Sequence, residues 1–490
     1  MKKSLIVFIL SSFFVTGFSQ KKPVAEIEKM VNRPDVEAPL TFLAADEMRG
    51  RDTGSHELDI AANYIASQFQ MLQLQVLPGA PSYFQPVELE KSFPIEAVAL
   101  KLKDDVLKFK DQFILLKGSN SEWSGECVYV GYGTAEEMPS DIKGKMVVAI
   151  AGAKDATSFM QIFVASSDKF KRVKAGGGAG LIEFFVTLPI PWPAVVNRFA
   201  SNPKVDVKAE DDGVPHVWMK DVDVPGMQEI KEQKKVAGIL NIGGSRKVAI
   251  PAKNVIGKIE GTDPILKNEY LVISAHYDHV GIGAKKDQDS IYNGARDNAL
   301  GTVALMTAAR YFTKYPPKRS VIFMALTGEE KGLLGSKWYA EHPLIPLRQT
   351  VFNFNCDGAG YNDKTIATII GLERTTAEAD IVKACAAFGL KAGGDPAPEQ
   401  NLYERSDNYN FARKGVPAID FSTGLKSFDA EINKYYHQPA DEAGTLDFEY
   451  LVKFYRAFVY ANYLLANAPK APVWKVGDKL ETVGKTLYQK

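Results

Sequence analysis

The chain has 490 residues, with 59 basic and 59 acidic side chains and a formal net charge of zero at pH 7. That balance argues against nucleic acid or an anionic membrane as partner, and 46% hydrophobic with 24% charged residues is the composition of a globular protein. The length exceeds what one ordinary core organises, so two or more domains are expected.

The first segment, 1–19, reads as a secretory signal: Lys2 and Lys3, an apolar run from Leu5 to Phe18, then the small Ser19. The apolar run is too short to span a bilayer comfortably. The mature chain is therefore expected to be exported, to the periplasm or beyond, with no membrane span. Three cysteines, Cys127, Cys356 and Cys385, make a poor disulfide framework. Cys356 ends an apolar run and is expected to be packed and reduced.

Residues 20–90 form the N-terminal part of the main domain. They carry a polar turn, Met48-Arg49-Gly50-Arg51-Asp52, and a helix over 57–72 with Ile60, Ala61, Tyr64, Ile65, Phe69 and Leu72 at helical spacing. Residues 91–249 switch to short strands such as VALKLK, QFILLK and MVVAIAG, a helix-like SDKFKRVKAGGGAG and the strand LIEFF. This block reads as an inserted, smaller α/β module, with loop excursions at 189–193 and 211–215. Over 250–468 the rhythm becomes strand–loop–helix. Strands are expected in NVIGKIEG, EYLVISA, VIFMAL, VFNFN and VPAIDFS, and helices over 298–312, 332–342, 378–388 and 448–466. The fold class is therefore α/β, with a mixed, mainly parallel sheet covered by helices on both faces. The tail, 469–490, is polar and expected to be extended or loosely packed.

Candidate site residues collect where these strands end. His276 and Asp278 follow one apolar run, Asp297 opens a helical pattern, Glu329-Glu330 and Asp357 follow two more runs, and His437 comes later. In open α/β sheets, ligands bind outside the carboxyl ends of the strands. Two imidazoles with several carboxylates and no cysteine suit zinc, with manganese or cobalt as possible substitutes. Three ligands per ion from this set require one shared group, and Asp297, with two oxygens, is the natural bridge. Of the two adjacent glutamates, one is free to bind metal while the other acts as general base. Asp278 is placed to hydrogen-bond the His276 ring. Singly, an aspartate after a strand is usually a cap and a histidine an ordinary polar residue; His56, His216 and His342 belong to that class. His279 stays open as a residue lining the site.

The blocks HYDHVG, NGARDNALG, LTGEEKGLLGS, NFNCDGAG and YYHQPADE resemble those of the co-catalytic zinc exopeptidase family of bacterial leucyl aminopeptidases and glutamate carboxypeptidases. The early MRGRDTGS resembles that family's N-terminal segment. SDIKGKMVVAIAG and KAGGGAGLIEFF resemble the protease-associated domain inserted in many members. The resemblance implies two zinc ions per chain, one held by His276, Asp297 and Asp357, the other by Asp297, Glu330 and His437. It implies Glu329 as base and acid toward a metal-bridging water and the leaving amine, Asp278 as orienter of His276, and Tyr436 as an oxyanion partner. It also implies a cis peptide after Asp297.

Arg296 departs from the acidic or small residue usual before the bridge, and is expected to contact a substrate carboxylate or a neighbouring acid. Arg405 is expected to shape the substrate pocket, in a segment closer to the family's aminopeptidases. The implied function is an exported exopeptidase acting on peptides, most readily an aminopeptidase. The alternatives are a carboxypeptidase or dipeptidase, a one-zinc glutaminyl cyclase, or a non-catalytic receptor-like binding protein.

Overall fold

The computed structural model describes residues 22–156, 158–187, 190–208 and 213–489. The segment 1–19, expected as a signal, lies outside the described residues, as do parts of the two loop excursions. The chain divides into two compact units, one of 1–88 with 251–490 and one of 89–250.

The larger unit is built on an eight-stranded sheet. In chain order its strands are β1 (Phe84–Pro86), β2 (Lys253–Ile259), β3 (Tyr270–His276), β4 (Ser320–Leu326), β5 (Thr350–Asn355), β6 (Ile366–Ile370), β7 (Lys391–Gly393) and β8 (Ala418–Ser422). Their order across the sheet is β1-β2-β4-β3-β5-β8-β6-β7. The central four, β4-β3-β5-β8, are mutually parallel. β2 runs antiparallel to β4, and β6 antiparallel to β8. The sheet is thus mixed, with its parallel part in the middle, where both faces are covered.

Burial follows the strand period of two. Leu271, Ile273 and Ala275 of β3 and Val321, Phe323 and Ala325 of β4 point into one core. Val272, Ile322, Met324 and Leu326 point into the other. The first core is covered by α1 (Arg33–Leu43), α2 (His56–Met71), α3 (Leu300–Lys314), α5 (Glu378–Ala387) and α6 (Phe448–Asn467). The second is covered by α4 (Leu334–Glu341) and the short helix Asn408–Ala412. α6 starts at Asp447, whose carboxylate accepts from the main-chain N–H of Glu449 and Tyr450, both at 3.1 Å, and so satisfies two donors that have no partner within the helix.

The tail departs from expectation. It docks and ends in a helix, α7 (Glu481–Tyr488). Trp474 is buried and its indole N–H donates to the Gly415 carbonyl at 3.0 Å. Arg374 grips Asp478 through two bonds of 2.7 Å, and the Tyr488 hydroxyl donates to the Thr350 carbonyl at 2.6 Å. One tryptophan and a few specific bonds anchor a segment whose overall polarity reads as loose. Among the described residues, no helix is long and apolar enough to cross a membrane.

The 89–250 unit has its own eight-stranded mixed sheet, a three-stranded sheet made of Leu89–Ser92, Lys204–Val207 and Lys247–Ile250, and helices Phe159–Ala175, Trp192–Ala200 and Pro225–Gln233. Its interior holds a buried charged knot. Glu183 accepts from Lys169 at 2.6 Å and from the Trp218 indole at 2.9 Å, sits 2.8 Å from the His216 ring nitrogen, and also accepts from Ser166. His216 is therefore a satisfied interior residue.

Candidate metal centre

The parallel register of the central strands puts the candidate residues at one level. Ser274 pairs with Asn355, so His276 and Asp357, each two residues further on, leave the sheet side by side. His276 pairs with Leu326, after which Thr327-Gly328 turns the chain and presents Glu329 and Glu330. The turn uses Gly328 at φ +70°.

Asp297 arrives on an irregular turn, Ala295–Ala299, ahead of α3. Gly294 enters that turn at φ +61°, and a Cβ there would collide with the Asp297 carbonyl oxygen and the His279 ring, so only glycine fits. Asp441 accepts from the main-chain N–H groups of Arg296 at 2.9 Å and Asp297 at 3.2 Å, which fixes the turn. The Asn298 amide donates to the Cys356 carbonyl at 2.8 Å, tying the turn to the end of β5. The Asp297–Asn298 peptide is cis.

The resulting geometry centres on Asp297. Its Oδ1 lies 3.3 Å from His276 Nε2, and its Oδ2 lies 3.1 Å from His437 Nε2. Each imidazole has a second carboxylate: Asp357 Oδ1 at 3.2 Å from His276, and Glu330 Oε2 at 3.2 Å from His437. His279 Nδ1 is 2.7 Å from Glu330 Oε1. Glu329 lies with His276 and Asp357, their ligand atoms all within 4.8 Å of one another.

The electrostatics ask for positive charge. Burial works against the charged forms of both histidines, yet the surrounding carboxylates raise them, His276 well above the usual imidazole range and His437 to about 10. Burial disfavours the Asp297 and Glu330 anions too, but the histidines outweigh it, lowering Asp297 and bringing Glu330 to about 2. Packing three carboxylates into so little buried space is costly without cations between them. The residues fit a pair of zinc-like ions. The donors are all nitrogen and oxygen, and the 3.1–3.3 Å N···O spacings are close to the roughly 3.3–3.4 Å edge of a tetrahedron with metal–ligand bonds of about 2.0–2.1 Å.

Glu329 is different in kind. Burial drives its carboxyl well above the usual range, with Asp357, Glu330 and Asp407 adding to the shift and His276 opposing it. A carboxyl raised in this way is a stronger base than an exposed glutamate.

One expectation needs correction, and for Arg296 the structure takes the second of two alternatives, the neighbouring acid. Asp278 acts on His276 through its main-chain carbonyl, 3.1 Å from Nδ1, whereas its nearer carboxylate oxygen is 3.8 Å away. That carboxylate instead accepts from the Glu329 N–H at 3.2 Å and the Thr53 hydroxyl at 2.8 Å, so it holds the Glu329 turn. Arg296 does not reach toward a substrate. Its side chain is 4% exposed, donates to Asp441 at 3.0 Å and to the Thr445 hydroxyl at 2.7 Å, and lies 3.7 Å over the Tyr435 ring. Its charge is spent internally, on the neighbouring acid.

Tyr436 stacks on His437, ring centroids 4.2 Å apart, and its hydroxyl accepts from Arg405 at 3.2 Å. Arg405 itself is exposed.

Further residues position the site. Arg51 is 1% exposed and donates to the carbonyls of Tyr277 at 3.0 Å, Asn293 at 2.6 Å and Gly294 at 3.0 Å, and also to Leu43. It thereby staples the turn after β3 to the turn before Asp297. Ser406 donates to Asp357 Oδ2 at 2.6 Å and accepts from Asn355 at 2.9 Å. The Asp407 carboxyl, pushed up to about 7 chiefly by burial, accepts from Ser336.

A mixed sheet thus carries, at the ends of its parallel strands, a carboxylate facing two imidazoles that each have a further carboxylate, a donor set able to hold metal ions. Residues 254–461 match the sequence profile of peptidase family M28. The chain resembles the aminopeptidase YwaD of Bacillus subtilis, with 24% identity over 314 residues, 64% of this chain and 60% of that protein. It is 35% identical over 116 residues to a vacuolar membrane protease of Saccharomyces cerevisiae, spanning 24% of this chain and only 11% of the yeast protein. Its fold is that of an aminopeptidase from Aneurinibacillus sp. strain AM-1, with a TM-score of 0.55 and 21% identity over 93% of this chain and 98% of that one.

Proposed function

We propose that the chain is an exported zinc aminopeptidase, with two zinc ions per chain, that removes residues from the N-termini of peptides. The observation that carries this reading is Asp297, whose two oxygens face two different imidazoles at 3.3 and 3.1 Å, each imidazole having a further carboxylate of its own. His276, Asp297 and Asp357 would hold one ion, and Asp297, Glu330 and His437 the other. When bound, such a pair polarises a scissile carbonyl and makes water acidic enough to attack at neutral pH.

The chain's own residues supply the rest. Glu329, presented by the turn that Asp278 holds, takes the proton from the attacking water and passes it to the leaving amine. Tyr436, whose hydroxyl accepts from Arg405 at 3.2 Å, would donate to the carbonyl oxygen as charge develops there. Direction of cleavage is read from the resemblance of the 403–424 segment to aminopeptidases and from the YwaD likeness. The 89–250 unit is read as a protease-associated insertion on its SDIKGKMVVAIAG and KAGGGAGLIEFF motifs.

The test compares one peptide blocked at either end. Hydrolysis of the C-amidated form but not the N-acetylated form is expected. The reverse pattern would make the enzyme a carboxypeptidase, with Arg405 as the cation available for the substrate's carboxylate. Cyclisation of an N-terminal glutamine with no hydrolysis would make it a glutaminyl cyclase.

A further inference from the structure

His279 sits in the same pocket, and no role described so far uses it. It is completely buried, yet neither ring nitrogen has a hydrogen-bond partner. Its Nδ1 is 2.7 Å from Glu330 Oε1, but the pair is misaligned for a hydrogen bond, and that oxygen is also without a partner. A buried imidazole and a buried carboxylate oxygen in contact yet bonded to nothing are expensive to keep, unless a third group meets both. Ligands of one ion behave this way, because each aims at the ion and past the other.

The surroundings converge on the same volume. One ligand atom from each of His279, Asp297, Glu330 and His437 falls within a group whose members all lie within 4.8 Å of one another. Asp297 Oδ1 is 3.9 Å from His279 Nδ1, and the two imidazole rings stand 5.5 Å apart at 74°. The position is held from behind. The His279 N–H donates to the Arg51 carbonyl at 3.2 Å, and the ring packs on Gly294 where no side chain fits.

We propose that His279 is a direct ligand, through Nδ1, to the cation held by Asp297, Glu330 and His437. This rests on the two-zinc reading above and goes beyond it. It makes the two sites unequal: one with two imidazoles, the other with His276 alone. The richer site carries less net negative charge per donor and a fuller coordination shell, so the poorer site is the one left more open to water and substrate.

The experiment is zinc K-edge absorption on the purified, zinc-loaded full chain, with zinc content measured alongside. Three imidazoles distributed over two zinc ions are expected. Two imidazoles over two ions would overturn the His279 assignment while leaving the two-zinc reading intact. Fewer than two zinc ions in the unmutated protein would overturn the two-zinc reading itself. His279→Ala and His279→Gln, titrated against a competing chelator, are expected to keep one tight zinc and to weaken the other by roughly 10–100-fold or more. Unchanged affinity for both ions in a folded variant would also overturn the assignment. Comparing thermal unfolding of wild type and variants in chelator separates ligation from packing. If neither variant folds, the absorption measurement on the unmutated protein still decides.

Discussion

Asp441 closes a ring on Arg296. Its carboxylate accepts from the Arg296 main-chain N–H at 2.9 Å and from the Arg296 guanidinium at 3.0 Å, and it takes the Asp297 N–H at 3.2 Å as well. A buried ion pair is thereby tied to the backbone that carries the shared aspartate. Arg296→Ala is expected to destabilise the fold by about 3–5 kcal/mol, because it leaves Asp441 buried without its partner. Zinc retention should fall with it, while preference among peptides that differ at the chain end stays as it was. Urea unfolding, zinc content and a substrate panel check this; a changed preference with normal stability would return Arg296 to the substrate.

Glu329 tests the acid–base assignment without touching the cations. Glu329→Gln keeps the shape of the side chain and the Asp278-held turn but removes the titrating group. The expected outcome is a loss of roughly 10²–10⁴-fold in kcat with zinc content unchanged. Normal turnover in a fully loaded variant would assign the proton to another group.

Metal removal links chemistry to stability. On the proposed reading zinc binds the folded chain and not the unfolded one, so chelation is expected to abolish activity and to lower the melting temperature, and zinc should restore both. Activity that persists after zinc has been shown to be absent would end the metal-dependent reading.

The 89–250 unit has its own pH signature. Burial opposes the Glu183 anion, but His216 and Lys169 more than offset it, holding the carboxyl down at about 2. The folded value lies below the unfolded one, so the stabilisation is complete above roughly pH 4.5 and is lost as pH falls toward 2, by an amount on the order of a few kcal/mol. Protonation would leave Lys169 buried, at 1% exposure, beside a neutral acid. Unfolding measured from pH 7 down to pH 3 should weaken in wild type. In Glu183→Gln it should start weaker and change less over the acid range. An identical pH slope in both proteins would remove Glu183 as its source.

Arg51 predicts a long-range effect. Arg51→Ala removes donors to carbonyls on two separate turns, and Arg51→Lys restores the charge but not the fork. Both are expected to reduce zinc affinity by roughly 10-fold or more, with lysine rescuing little. Equal rescue by lysine would show that charge, and not geometry, is what the site takes from this residue.

The sequence by itself determined the alternation of apolar strands and helices, the mixed sheet, and the row of His, Asp and Glu residues at strand ends. These are local properties: burial on both faces writes a continuous apolar run, and a strand end writes an abrupt change to polar residues. The tertiary structure alone decided what those residues do to one another. Strand register set His276 beside Asp357, and the Asp278 carbonyl, not its carboxylate, met His276 Nδ1. Arg296 spent its charge on Asp441, 145 residues away. Arg51 and Trp474 read as ordinary polar or tail residues, and His279 as no more than a residue lining the site, until the fold surrounds them, because a side chain's partners come from segments far along the chain. Chemical type and period are printed along a sequence; the distance between two side chains exists only once the chain has closed on itself.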